Sequence, residues 1–79
     1  MAAMKHTYYS IAFRLWGVAI CGVFKNLESF AEEFERLYKV FETPSQMDTC
    51  SVRAYSEKEA RKKAVEYFNK NGWNIKGAE

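Results

Sequence analysis

The sequence predicts an α+β fold in the order ββαβα: a three-stranded mixed or antiparallel sheet with two helices packed on one face. Three observations carry that prediction. Residues 7 to 24 are dense in β-branched, aromatic and apolar side chains. From Asn26 the apolar period changes to that of a helix, and the same succession of alternating segment and capped helix then recurs over residues 47 to 71. The 79 residues form one domain, 1–79. At that length folding buries roughly 60% of the potential surface, so the core must be rich in large apolar groups. Six Phe, five Tyr and two Trp supply it and exceed what two short layers need, so some aromatic rings are expected at the surface.

Strands are expected at about residues 7 to 15 and 18 to 25, with the turn at Trp16-Gly17, where glycine tolerates a positive φ. In the first strand Tyr9, Ile11, Phe13 and Leu15 form the expected core face, and Tyr8, Ser10, Ala12, Arg14 and Trp16 the other. The second strand is apolar on both faces, which points to cover on each, by a partner or a second copy. Leu27, Phe30, Ala31, Phe34, Leu37, Tyr38 and Phe41 then follow i, i+3, i+4 spacing and make the first helix. Asn26 caps it, with Ser29 and Glu32 as an alternative capping box, and Pro44 ends it. Cys50, Val52 and Ala54 alternate with Thr49, Ser51, Arg53 and Tyr55 in a third strand. Ser56-Glu57-Lys58-Glu59 opens a second helix that runs through Asn71, with Ala60, Ala64, Tyr67 and Phe68 on one face. Gly72 ends it in a left-handed conformation, Trp73 folds back on the last turn, and Ile75 adds a short edge strand.

The formal net charge of +2 is too small to indicate nucleic-acid binding, but its distribution is uneven. Residues 1 to 25 carry no acid, residues 26 to 44 carry five Glu against Arg36 and Lys39, and the remainder is mildly basic. Cys21 and Cys50 have neither CxxC spacing nor a flanking His, so they read as reduced core thiols rather than zinc or redox ligands. Met1 to Ser10 lacks the layout of a signal peptide, and the ten uncharged residues from Leu15 to Phe24 are too few to span a membrane. A cytoplasmic location and no membrane partner are expected.

Two surfaces remain as candidate binding sites once both helices have spent their apolar faces on the core. With both helices on one side, the opposite sheet face displays Tyr8, Arg14 and Trp16 beside Arg53 and Tyr55. Such a set serves a protein contact, self-association or a single-stranded nucleic-acid platform, because rings stack on bases and guanidinium groups meet phosphates. The other surface is the acidic flank of the first helix, Glu28, Glu32, Glu35 and Glu42, which is either a solvated face or a lure for a basic partner. The second helix looks basic, but Glu59 with Lys63 and Glu66 with Lys70 are expected as i, i+4 pairs that neutralise it. His6 is the only histidine and has no base or nucleophile placed beside it by spacing. No catalytic set, metal site or cofactor is therefore expected.

The segment Cys50 to Gly72, CSVRAYSEKEARKKAVEYFNKNG, resembles a strand, cap and helix unit of small phage and mobile-element proteins, some anti-CRISPR inhibitors among them. The shared positions are structural, so no functional residue carries over. The resemblance implies a compact inhibitor that coats a functional surface of a host nuclease complex in the host cytoplasm. The expectation is thus a non-catalytic binding protein, with a single-stranded nucleic-acid module or a structural homodimer as alternatives.

Overall fold

The computed structural model of the chain describes residues 4–15, 17–40 and 46–76. Its elements follow the expected order: β1 (His6–Leu15), β2 (Val18–Phe24), α1 (Leu27–Val40), β3 (Gln46–Ala54) and α2 (Glu57–Lys70). The strand order is β2-β1-β3 and both pairings are antiparallel, so the sheet is antiparallel rather than mixed. Leu15 pairs with Val18 across the turn, where Gly17 takes φ +79°.

The helix caps explain why the chain leaves its strands where it does. Asn26 Oδ1 accepts from the backbone N–H groups of Glu28 (2.7 Å) and Ser29 (3.3 Å), satisfying two donors that the first turn of α1 leaves without partners. Ser56 Oγ accepts from Glu59 N at 3.2 Å, while Glu59 Oε1 reaches back to Tyr55 N at 2.6 Å. At the other end Trp73 N donates to Phe68 O and Gly72 N to Asn69 O, both at 3.1 Å, with Gly72 at φ +90° and the Trp73 and Phe68 rings 6.1 Å apart. This is the glycine-closed helix end read from Asn71-Gly72-Trp73. Ile75 adds no strand. Its N–H donates to Asn69 Oδ1 (2.6 Å), its C=O accepts from Asn69 Nδ2 (3.1 Å), and its side chain is buried beneath α2.

The placement of the helices corrects the expectation that both lie on one face. Ala12, Cys21, Ala64, Val65, Phe68, Trp73 and Ile75 form one buried cluster, joined on the same side by Tyr8, Ala54 and Ala60. Ile11, Phe13 and Leu37 form another, with Phe24, Phe30, Phe34 and Met47 against it. Alternate β1 residues therefore meet different helices, α2 on the even side and α1 on the odd side. The expected core face of β1 was the odd one alone, which left its even side, with Ser10 and Ala12, open. Small residues are what let α2 approach, through its own fully buried Ala60 and Ala64. Tyr67, expected on that face, is 47% exposed, and Val65 takes the place in the core.

Both outer strands have edge groups covered by side chains. Because the two-residue turn closes on a hydrogen-bonded pair, Cys21 and the odd residues of β3 direct their backbone groups outward. Arg61 Nη1 donates to Cys21 O at 2.8 Å, Lys63 Nζ to Arg53 O at 2.8 Å, and Thr49 N to Asp48 Oδ1 at 2.8 Å. Two basic residues of α2 thus reach past opposite edges of the sheet they cover.

Candidate interaction surface

The two sides of the sheet are not packed alike. Under α2 the large side chains are closed off, with Phe68 at 0% and Trp73 at 3% exposure. Under α1 Ile11 and Leu37 are fully buried and Phe13 is 8% exposed, but a seam of rings stays half-buried between helix and sheet. Phe30 is its centre, with ring centroids 5.7 Å from Tyr9, 6.3 Å from Phe24 and 6.3 Å from Phe34. Tilted and edge-on contacts at these distances are favourable, yet they leave ring surface in water. On the same sheet face Val18 and Ile20 are 58% and 41% exposed, and Leu27, at the start of α1, is 57% exposed. Val18 and Ile20 lie toward the hairpin end of this face and Leu27 near the end where Phe30 meets Phe24, so exposed apolar groups run along the α1 side, and such surface marks an interaction site more often than a single exposed residue does.

Glu28, Glu32 and Glu35 lie exposed on the outer side of α1, as the sequence placed them, and Glu42 lies outside the described residues. Their charges are not equally available. Lys39 Nζ sits 2.6 Å from Glu35, and its hydrogen bond holds the Glu35 carboxyl below its ordinary range. Arg36 pairs with Glu33 at 2.6 Å, and the hydrogen bond lowers the Glu33 pKa in the same way. Among the described residues Glu28 and Glu32 have no ion-pair partner. The acidic feature narrows to these two, one turn apart.

The expected aromatic and arginine platform does not assemble. Tyr8 is 4% exposed in the core beneath α2. Arg14 is on that same side, half-buried, with Nη2 donating to Trp73 O at 2.9 Å and its guanidinium 5.0 Å from the Trp73 ring centroid. Trp16 lies outside the described residues. Thr7 is the register partner of Arg53, so Arg53 sits on the α1 side of the sheet, opposite in face to Tyr8 and Arg14. Tyr55 is exposed, with Lys5 Nζ 5.4 Å from its ring centroid. The cause is register: pairing sets even β1 residues beside even β3 residues, whereas the sequence reading placed them on opposite faces.

The expected ion pairs of α2 are also absent among the described residues; Glu59 and Lys63 bind backbone groups instead of each other. Cys21 and Cys50 are free thiols on the α2 side; burial raises both, Cys50 to about 11, with Cys21 and Asp48 adding to the Cys50 shift. Among the described residues no three metal-ligating side chains converge, and no helix is long and apolar enough to cross a membrane. The sequence reading assigned Leu27, Phe30 and Phe34 wholly to the core and missed their partial exposure. The excess of aromatic residues was the signal that pointed to it.

The fold and surface together define a small ββαβα α+β domain with one tightly packed side and one loosely covered side. Compared with protein families, curated proteins and solved structures, the chain matches none.

Proposed function

We propose that this chain is a non-catalytic binding protein that docks its α1 side on a partner surface combining positive charge with apolar side chains. The half-buried seam around Phe30, with exposed Leu27 one turn before it and exposed Val18 and Ile20 on the same sheet face, is the observation that carries the reading. Rings and aliphatic groups supply the anchors of an interface, and the uncompensated Glu28 and Glu32 favour approach by a basic partner. Because α1 and α2 lie on opposite faces, the sheet separates these acids from the basic residues of α2. A nucleic-acid-binding groove of a nuclease complex has that chemistry, and a phage-type inhibitor, as the Cys50 to Gly72 resemblance implies, would occupy it.

The test uses the tagged chain against a lysate of candidate host cells, followed by competition. The captured partner is expected to be displaced by DNA or RNA oligonucleotides, and to bind at least about tenfold more weakly to the E28K/E32K double variant, as close charge pairs at interfaces do. A separate L27S variant should weaken capture while leaving the fold intact, since its side chain is already more than half exposed. Undiminished capture by both variants removes the α1 side from the account. A stable homodimer in sedimentation that E28K/E32K leaves unchanged and L27S breaks would assign the seam to self-association instead.

A further inference from the structure

We propose that the outer edge of β2 pairs antiparallel with the same edge of a second copy of this chain, Cys21 opposite Cys21, and that Arg61 governs the pairing. Edge strands are ordinarily guarded by their own charges, by proline or by a bulge. β2 reads VAICGVF, without a charge or a proline, and it pairs with β1 residue for residue. Ala19, Cys21 and Val23 turn their N–H and C=O groups away from β1, because they oppose it in the pairs that exchange no hydrogen bonds. Among the described residues only the Cys21 carbonyl of these groups has a partner, Arg61 Nη1 at 2.8 Å.

The three outward residues are evenly spaced about Cys21, and that spacing selects one register. A two-fold axis at Cys21 sets Ala19 opposite Val23 of the second copy, so that all three exchange N–H and C=O bonds with it. Two three-stranded sheets become one continuous sheet.

The side chains favour the same register. On the α1 side it places Ile20 opposite Gly22 and Val18 opposite Phe24 of the copy. Ile20 and Val18 are the aliphatic residues that β2 leaves open to water, at 41% and 58% exposure. Gly22 has no side chain to hold Ile20 off, and the Phe24 ring leans across that space, since a Cβ on Gly22 would stand 3.2 Å from it. Each open aliphatic group thereby gains an apolar neighbour. The occupant is a second copy because the strand is complementary to itself, with exposed aliphatics toward one end and a glycine and a ring toward the other.

Arg61 is the gate. Its Nη1 stands where Cys21 N–H of the copy would donate, and the two-fold axis would bring two guanidinium groups together. Pairing therefore requires Arg61 to leave Cys21 O, which keeps association of the parent chain weak. The Phe30 seam, Glu28 and Glu32 lie on α1 rather than on this edge, so the edge dimer does not rest on the docking proposed above.

The experiment follows the full chain and its R61A variant by sedimentation velocity and NMR amide exchange from micromolar to millimolar concentration. R61A is expected to dimerise about tenfold more tightly than the parent, because two competing hydrogen bonds are removed per dimer. Exchange should slow with concentration at Ala19, Cys21 and Val23 and stay unchanged at Ser51 and Arg53, which turn outward on the β3 edge. V18K/I20K alters side chains that are already exposed, and placed in R61A it should weaken the dimer about tenfold by charging the edge. R61A no tighter than the parent, species larger than a dimer, slowing at Ser51 and Arg53 in place of the β2 amides, or undiminished association with V18K/I20K overturns the proposal. Should R61A unfold, the parent at millimolar concentration supplies the same readout, and β2 amides there unmoved by dilution overturn it.

Discussion

Ser10 stands at the centre of β1 with 0% exposure, and its hydroxyl has no oxygen or nitrogen partner; a weak contact with the Cys50 thiol is what it has. A buried polar group left in that state costs about 1–3 kcal/mol, whereas removing it altogether is close to neutral or favourable. Ser10→Ala is therefore expected to stabilise the chain by about 1 kcal/mol, read as a higher urea midpoint at unchanged m-value. A loss of stability would mean that the hydroxyl is satisfied in solution. The same position shows how a residue misleads a sequence reading. Serine on a strand suggests a wet face, yet here its small size is what matters, since a bulky side chain would hold α2 away from the sheet.

At the level of elements, the edges of the sheet are held by α2. An uncovered outer strand offers unpaired N–H and C=O groups to any other chain, and proteins commonly blunt such edges with charged side chains. Arg61 on Cys21 O and Lys63 on Arg53 O do so here, on β2 and β3 respectively. Both residues had been expected only as part of a self-neutralising outer helix face. The double variant R61A/K63A is predicted to keep the fold and to self-associate at concentrations where the parent is unchanged, measured by sedimentation velocity. Unchanged association would show that the edges are protected by other means. The β2 edge is the one more exposed to pairing, because Val18 and Ile20 beside it are apolar and open.

For the whole molecule, stability should depend on pH through the two thiols under α2. Burial raises the Cys50 pKa from its ordinary 9.0 to about 11 and moves Cys21 in the same direction. Below pH 9.0 both folded and unfolded chains hold these protons and the contribution to stability is fully present. As pH rises from there the unfolded chain releases them first, so stability falls through the window up to about 11. Urea unfolding at successive alkaline pH values is expected to show that fall, and Cys50→Ala to reduce it. An equally steep fall in the variant would assign the effect to other groups. The same burial makes neither thiol a ready nucleophile. Seen whole, the molecule is asymmetric: the α2 side supplies a closed core, and the α1 side keeps its rings half in water.

The class, the element order, the hairpin turn, the Asn26 and Ser56 caps and the Gly72 helix end are all legible in the amino-acid order. Each of these is a local matter, written in side chains within a few residues of one another. The same order also places Glu28, Glu32 and Glu35 on an outer helix face, because helical periodicity is local as well. Which face of β1 meets which helix, the place of β1 between the other two strands and the separation of Tyr8 and Arg14 from Arg53 emerge only once the elements pack. Those facts depend on register, and a shift of one residue in pairing moves every side chain of a strand to the other face. No local pattern contains that choice, since it is made by how Ala12, Ala60 and Ala64 on one side and Ile11, Phe13 and Leu37 on the other fill space together.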